Sequence, residues 1–170
     1  AGLNSLSAGQ NLFEFYLGGL FMKVRDCMNP RAVAVGAGEP VAVAARVMAR
    51  HNLGMLPVRD AAGRLVGVVT DRDIAVRCVA AGQDAARLRV QRVMSTRPVS
   101  VSPETDVAAA AVLLAREQVR RLPVVENGRL CGMVSLADLA KNEDYGMEAA
   151  ECLEKICANV RSSAKTWAED

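Results

Sequence analysis

Aromatic side chains are scarce: Phe, Tyr and Trp make up 4% of the 170 residues, with a single Trp. So few flat rings, on a chain of net charge +2, give neither stacking platforms nor an electrostatic footprint for nucleic acid. There is one histidine, His51, and no Cys-x-x-Cys spacing, which argues against a zinc site. His51 reads instead as a solvated group near a helix end. The five cysteines, Cys27, Cys78, Cys131, Cys152 and Cys157, are odd in number and read as reduced, mostly buried thiols of a cytoplasmic protein. No apolar run approaches the roughly 18 residues that span a bilayer; the longest is Val107 to Ala115. No paired acid and base, metal cluster or activated nucleophile is visible, so no catalysis is expected.

What the chain does have is 51% hydrophobic residues, enough to bury a core, and an internal duplication. Leu65-Val66-Gly67-Val68-Val69-Thr70-Asp71-Arg72-Asp73 returns as Leu130-Cys131-Gly132-Met133-Val134-Ser135-Leu136-Ala137-Asp138. Leu56-Pro57-Val58 precedes the first copy and Leu122-Pro123-Val124 the second. At an offset of 66, Met28 falls on Met94, Arg31 on Arg97, Val33 and Val35 on Val99 and Val101, and Val41 on Val107. A turn one residue longer in the first copy then shifts the offset to 65.

Each copy reads as strand, helix, strand, strand, helix. Ala32 to Val35 is a short strand. Val41 to Asn52 has helical period, with Val41, Ala44, Ala45 and Met48 on one face. Leu56 to Val58 and Leu65 to Thr70 form an antiparallel pair, and a helix follows over Asp71 to Ala80. In the second copy Ser102-Pro103 reads as a helix start. Val107, Ala110, Ala111, Leu114 and Gln118 read as that helix's inner face. Asn127-Gly128 marks a hairpin. The organisation is an extension over 1–21, repeats over 22–82 and 92–142, a linker over 83–91 and a helical tail over 143–170. The extension is either an addition ahead of a natural start at Met22 or a packing arm. The tail carries Leu153, Ile156, Cys157, Val160, Ala164 and Trp167 at helical spacing.

Two copies of this pattern, each ending Gly-apolar-apolar-[Ser/Thr]-x-x-Asp, resemble a tandem CBS-domain pair (a Bateman module). The resemblance covers about Val24 to Asn142, and Gly67 to Asp73 looks especially like stand-alone bacterial members. It implies an α+β fold of two CBS repeats packed sheet to sheet with pseudo-twofold symmetry. It implies clefts that take AMP, ADP, ATP, S-adenosylmethionine or NAD(H), association into a homodimer, and a regulatory role toward another protein. No cofactor is required beyond the adenosine nucleotide as ligand.

A ribose presents adjacent hydroxyl donors, and Asp73 or Asp138 can accept them, with Thr70 and Ser135 at the mouth of the same turn. The same Ser/Thr-x-x-Asp spacing is also a helix-capping arrangement, and the two roles are compatible. By the resemblance, Thr70 with Asp73 serves one cleft and Ser135 with Asp138 the other. The implied adenine slots are Val33, Val35, Leu56, Pro57 and Val58 in one copy, and Val99, Val101, Leu122, Pro123 and Val124 in the other. Phosphate needs cations: Arg120 and Arg121 stand before Leu122, where the first copy has Gly54-Met55, and Arg72, Arg31 or Arg97 can compensate there. The clefts are therefore expected to be unequal. The competing reading is a ligand-free assembly module that dimerises and docks a partner through its terminal segments.

Overall fold

The computed structural model describes residues 22–141 and 146–165. The extension over 1–21, Asn142 and Trp167 lie outside the described residues. In chain order the helices are α1 (Val24–Cys27), α2 (Val41–His51), α3 (Asp71–Ile74, continued by a π turn over Ala75–Val79), α4 (Val107–Arg116), α5 (Leu136–Ala140) and α6 (Gly146–Lys165). The strands are β1 (Val35–Gly36), β2 (Met55–Arg59), β3 (Leu65–Thr70), β4 (Ser95–Thr96), β5 (Arg121–Glu126) and β6 (Arg129–Ser135). The fold is α+β, as the duplicated pattern requires. Contacts divide the described residues into two compact units, one of residues 29–102 with 122–133, the other of residues 22–28, 103–121, 134–141 and 146–165.

The first unit is built on a sheet of order β1-β2-β3-β4. β1 lies parallel to β2, with Val35 opposite Val58, and β2–β3 is antiparallel, with Leu56 opposite Val69. α2 covers this sheet because its apolar positions recur at helical spacing. Val41, Ala44 and Met48 are buried in one cluster with Leu56, Val58, Val69, Cys78, Val90 and Val93. The hairpin of β5 and β6 shares the unit. Val101 pairs with Val124 in parallel and Asn29 pairs with Met133 antiparallel. The Leu65 amide donates to the Gly128 carbonyl at 3.1 Å, so the two hairpin turns meet.

In the second unit α6 packs on α4 and α5, with Ala149, Cys152 and Ile156 buried along its inner face. Of the stripe expected from sequence, Ile156 faces in, whereas Leu153 is 46% exposed and Cys157 is exposed. Leu153 and Cys157 sit about 100° around the helix from their buried neighbours Cys152 and Ile156, and that rotation turns them off the packed face.

The first amides of each long helix need partners, and the two copies find them in the same way. In the first unit Val41 N–H donates to Leu88 O, and Val90 N–H to Glu39 O. In the second, Val107 N–H donates to Met22 O, and Val24 N–H to Thr105 O. Each pair is the other moved by 66 positions. So the segment leading into the second copy closes the first copy's helix, and the segment leading into the first copy closes the second's. β4, from that same lead-in, also adds an outer strand beside β3. The stretch over 83–91 thus does more than connect. The carbonyls of Ala85 and Leu88 accept from α2, and Val90 is fully buried.

Local signals lost to these tertiary bonds in two places. α4 begins at Val107, not at Ser102-Pro103. The Pro103 carbonyl accepts from Arg25 N–H at 3.0 Å, and Asp106 Oδ1 caps Ala108 N–H at 2.9 Å. Gln118 leaves the inner face because it stands at φ 56°, where its Nε2 donates back to Ala115 O. Asn52, its counterpart, ends α2 at φ 51°. The first strand, expected over Ala32 to Val35, is confined to Val35–Gly36, and the helix expected over Asp71 to Ala80 changes to π geometry at Ala75.

Candidate functional site

The two strand-to-helix turns each carry a network of polar side chains. Thr70, with φ −111° and ψ 163°, leaves β3 extended and stands as the N-cap of α3. Its hydroxyl accepts from Asp73 N–H at 3.0 Å and donates to Asp73 Oδ2 at 2.8 Å. Its own N–H donates to the same oxygen at 2.9 Å. In the second copy Ser135 N–H donates to Asp138 Oδ2 at 3.0 Å and Ser135 Oγ at 2.5 Å, while Asp138 N–H donates back to Ser135 Oγ at 3.3 Å. Both turns are reciprocal capping boxes. Capping, one of the two compatible roles read from the sequence, is thus present at both.

The boxes fix each carboxylate and leave its other oxygen turned to a cation. Asp73 Oδ1 lies 3.3 Å from Arg77 Nη1, with the Asp73 side chain 14% exposed. Asp138 Oδ1 lies 3.6 Å from Lys141 Nζ, with its side chain 21% exposed. A carboxylate has about four acceptor positions. At Asp73, Thr70 N–H and Thr70 Oγ use the two on Oδ2, and Oδ1 is held by the Arg77 ion pair with room for one more donor. A hydroxyl could be received there; a second would have to displace Arg77.

The mouths of the turns differ. Asp71 N–H donates to Gly54 O at 3.1 Å, and Leu136 N–H donates to Arg120 O at 3.1 Å. Arg120 is thereby carried to the Ser135 turn, while the first turn has Gly54 facing Asp71. A Cβ built on Gly54 would lie 3.3 Å from Asp71 Oδ2. The inequality read from Arg120-Arg121 against Gly54-Met55 is therefore compounded by Asp71 against Leu136. Arg72, Arg120 and Arg121 are exposed. Arg31 and Arg97 are exposed too, the latter at φ 54°.

The residues of the implied adenine slots are mostly core. Val35, Leu56, Val58, Val101, Leu122 and Val124 are buried, as are Pro57 and Pro123, so these strands can offer a ring little beyond backbone edges. Val33 packs half-buried against the core, and Val99 is 36% exposed. The sequence reading missed Asp71 and Arg77. The missing counterpart of Asp71 in the second copy was visible in the alignment; the reach of Arg77 was not.

All five cysteines are free. Burial, then the nearby carboxylates of Asp138 and Asp26, push the Cys27 thiol up, away from the thiolate that a nucleophile needs. Among the described residues no three or more His, Cys, Asp or Glu side chains gather as a metal group, and no helix is long and apolar enough to cross a membrane.

The chain matches the CBS-domain family model twice, over residues 24–79 and 90–144. It is 40% identical over 133 residues to the CBS domain-containing protein YhcV of Bacillus subtilis, covering 78% of this chain and 94% of that one. It is 34% identical over 118 residues to hypoxic response protein 1 of Mycobacterium tuberculosis, covering 69% and 82%. A crystal structure of Hypoxic Response Protein I with two coordinated zinc ions is similar at a TM-score of 0.67, 33% identity and coverage of 71% and 98%. The CBS domain pair of MJ0100, solved in complex with 5'-methylthioadenosine and S-adenosyl-L-methionine, shares the fold at a TM-score of 0.63 and 23% identity, covering 71% and 94%. The chain belongs to the CBS-domain family, as a tandem pair.

Proposed function

We propose that this pair is a regulatory module that binds an adenosine-containing nucleotide at its strand-to-helix turns and transmits the bound state to a partner protein. Thr70 with Asp73, and Ser135 with Asp138, receive the ribose. Arg120 and Arg121 face phosphate in the second cleft and Arg72 in the first. The module works without catalysis, as a homodimer in the cytoplasm. One observation carries the reading: a part-buried carboxylate fixed by a reciprocal box, with one oxygen still open beside a cation, built twice at corresponding positions. A capping role alone needs only Oδ2; Oδ1, ion-paired with Arg77 in one copy and Lys141 in the other, keeps an acceptor position that a ligand hydroxyl can use.

The purified protein should release an adenosine-containing molecule on denaturation, detected by mass spectrometry. AMP, ATP, NADH or S-adenosylmethionine should then raise the melting temperature of stripped protein. A ligand at about a hundred times its dissociation constant adds roughly 2.7 kcal/mol. No released molecule and no shift with any of the four would remove the nucleotide from the account.

The ligand-free assembly module has one observation in its favour. α6 exposes Met147 at 85% and Leu153 at 46% while its inner face is already packed. On that reading, removal of residues 148–170 abolishes self-association and nucleotides leave the association state unchanged.

A further inference from the structure

The Arg77 side chain links three groups of the first unit. Its Nη1 donates to Val93 O at 2.6 Å, lies 3.3 Å from Asp73 Oδ1 and reaches Ser95 Oγ at 3.4 Å. The first contact is a short hydrogen bond and the Ser95 contact a long one, whereas Asp73 is held as an ion pair. Arg77 stands in the π turn over Ala75–Val79, a local widening of the helix of the kind that recurs at functional positions. Val93 to Thr96 is the segment that leads into the second copy, and it supplies β4 to the sheet beside β3.

We propose that Arg77 is a positioning residue that reports the occupancy of Asp73 to this segment. The inference rests on the nucleotide reading above and adds its route. The ion pair with Asp73 Oδ1 draws the guanidinium toward the carboxylate and keeps its hydrogen bond to Ser95 Oγ long, at 3.4 Å. A ligand hydroxyl that donates to Oδ1 offsets the carboxylate's pull, and the guanidinium turns to Ser95 Oγ. Occupancy at the first turn thus tightens residues 93–96, through which the chain passes from one copy to the other. The second copy is built differently. Asp138 takes Lys141, one turn on along its own helix, and position 142, which corresponds to Arg77, lies outside the described residues.

Amide hydrogen exchange over residues 94–97 tests this in two arms. In ligand-free protein, Arg77→Met should speed exchange there by about tenfold or more, the loss of one charge-assisted hydrogen bond. Asp73→Asn combined with Arg77→Met should be no faster than Arg77→Met alone. Unchanged exchange in Arg77→Met, or effects that multiply in the double variant, would overturn the tie whatever the ligand. In the second arm, AMP should slow exchange over 94–97 in the wild type. In Ser95→Ala AMP should still bind, read by calorimetry, but leave those amides unaffected. An equal slowing in Ser95→Ala would overturn the route. An absence of AMP heat in the wild type would instead overturn the nucleotide reading and this inference as its extension, leaving the ligand-free tie to be judged on the first arm.

Discussion

Gly67 faces Met94 across a gap that admits no side chain. A Cβ built at Gly67 would lie 2.7 Å from Met94 Sδ and 2.8 Å from Ser95 O. Gly67 sits in β3 opposite Thr96, so the close approach is what lets the second copy's lead-in add to the first copy's sheet. Gly67→Ala should therefore cost about 1–3 kcal/mol by overpacking, read from urea denaturation. Gly38→Ala, with nothing within 4 Å, should cost little. Equal costs at the two positions would mean that β4 is not held this tightly.

The capping boxes carry stability of their own. Thr70→Ala and Ser135→Ala should each cost about 1 kcal/mol, because each strands a helix amide that the hydroxyl now accepts from. Thermal denaturation of the two variants checks this. No loss in either would mean the boxes are not kept in solution.

The first hairpin turn is set by Asp60, and its contribution depends on pH. Arg64 N–H and Ala62 N–H donate to Asp60 Oδ1 at 2.9 Å, and Arg64 Nε to Oδ2 at 2.8 Å. The Arg64 backbone bond first, then its side chain, holds the Asp60 carboxyl below the ordinary carboxylate range. A depressed folded-state value means that the stabilisation is complete above the unfolded value, about 3.9, and is lost as pH falls through the folded one. The stability gap between wild type and Asp60→Asn should thus be widest near neutrality and close below about pH 4, measured by urea midpoints. A gap that widens in acid would contradict the arrangement.

The corrected face of α6 gives a paired test. Ile156 is 8% exposed and Leu153 46%. Ile156→Ala should cost about 2–4 kcal/mol and Leu153→Ala under about 1 kcal/mol, read by denaturant unfolding. The reverse order would contradict this packing of α6.

Much of this architecture was legible in the residues because it is repeated and local. The offset of 66 put Val41 on Val107, and both open their helices. Val-Val-Thr-Asp marked the end of β3 and the cap after it, and Asn127-Gly128 turned the second hairpin with both residues at positive φ. What stayed hidden was non-local. Nothing in Met22 to Cys27 says that the Met22 carbonyl belongs to α4, or the Val24 and Arg25 amides to the segment before it, since main-chain groups carry no side-chain signature. Ser102-Pro103 looked like a helix start because the bond from Arg25 to the Pro103 carbonyl cannot be seen in sequence. At the site, Thr70, Asp73, Ser135 and Asp138 were legible as capping pairs. Arg77 was not, because its three partners lie at 73, 93 and 95 and only the fold gathers them.

The most direct measurement is calorimetric titration of AMP into protein shown by mass spectrometry to be ligand-free, alongside Asp73→Ala and Asp138→Ala variants that retain the wild-type circular dichroism. The account expects saturable heat in the wild type, and loss of one cleft's share of it in each variant. No heat with AMP, ATP, NADH or S-adenosylmethionine, or titrations that neither aspartate alters, would contradict it.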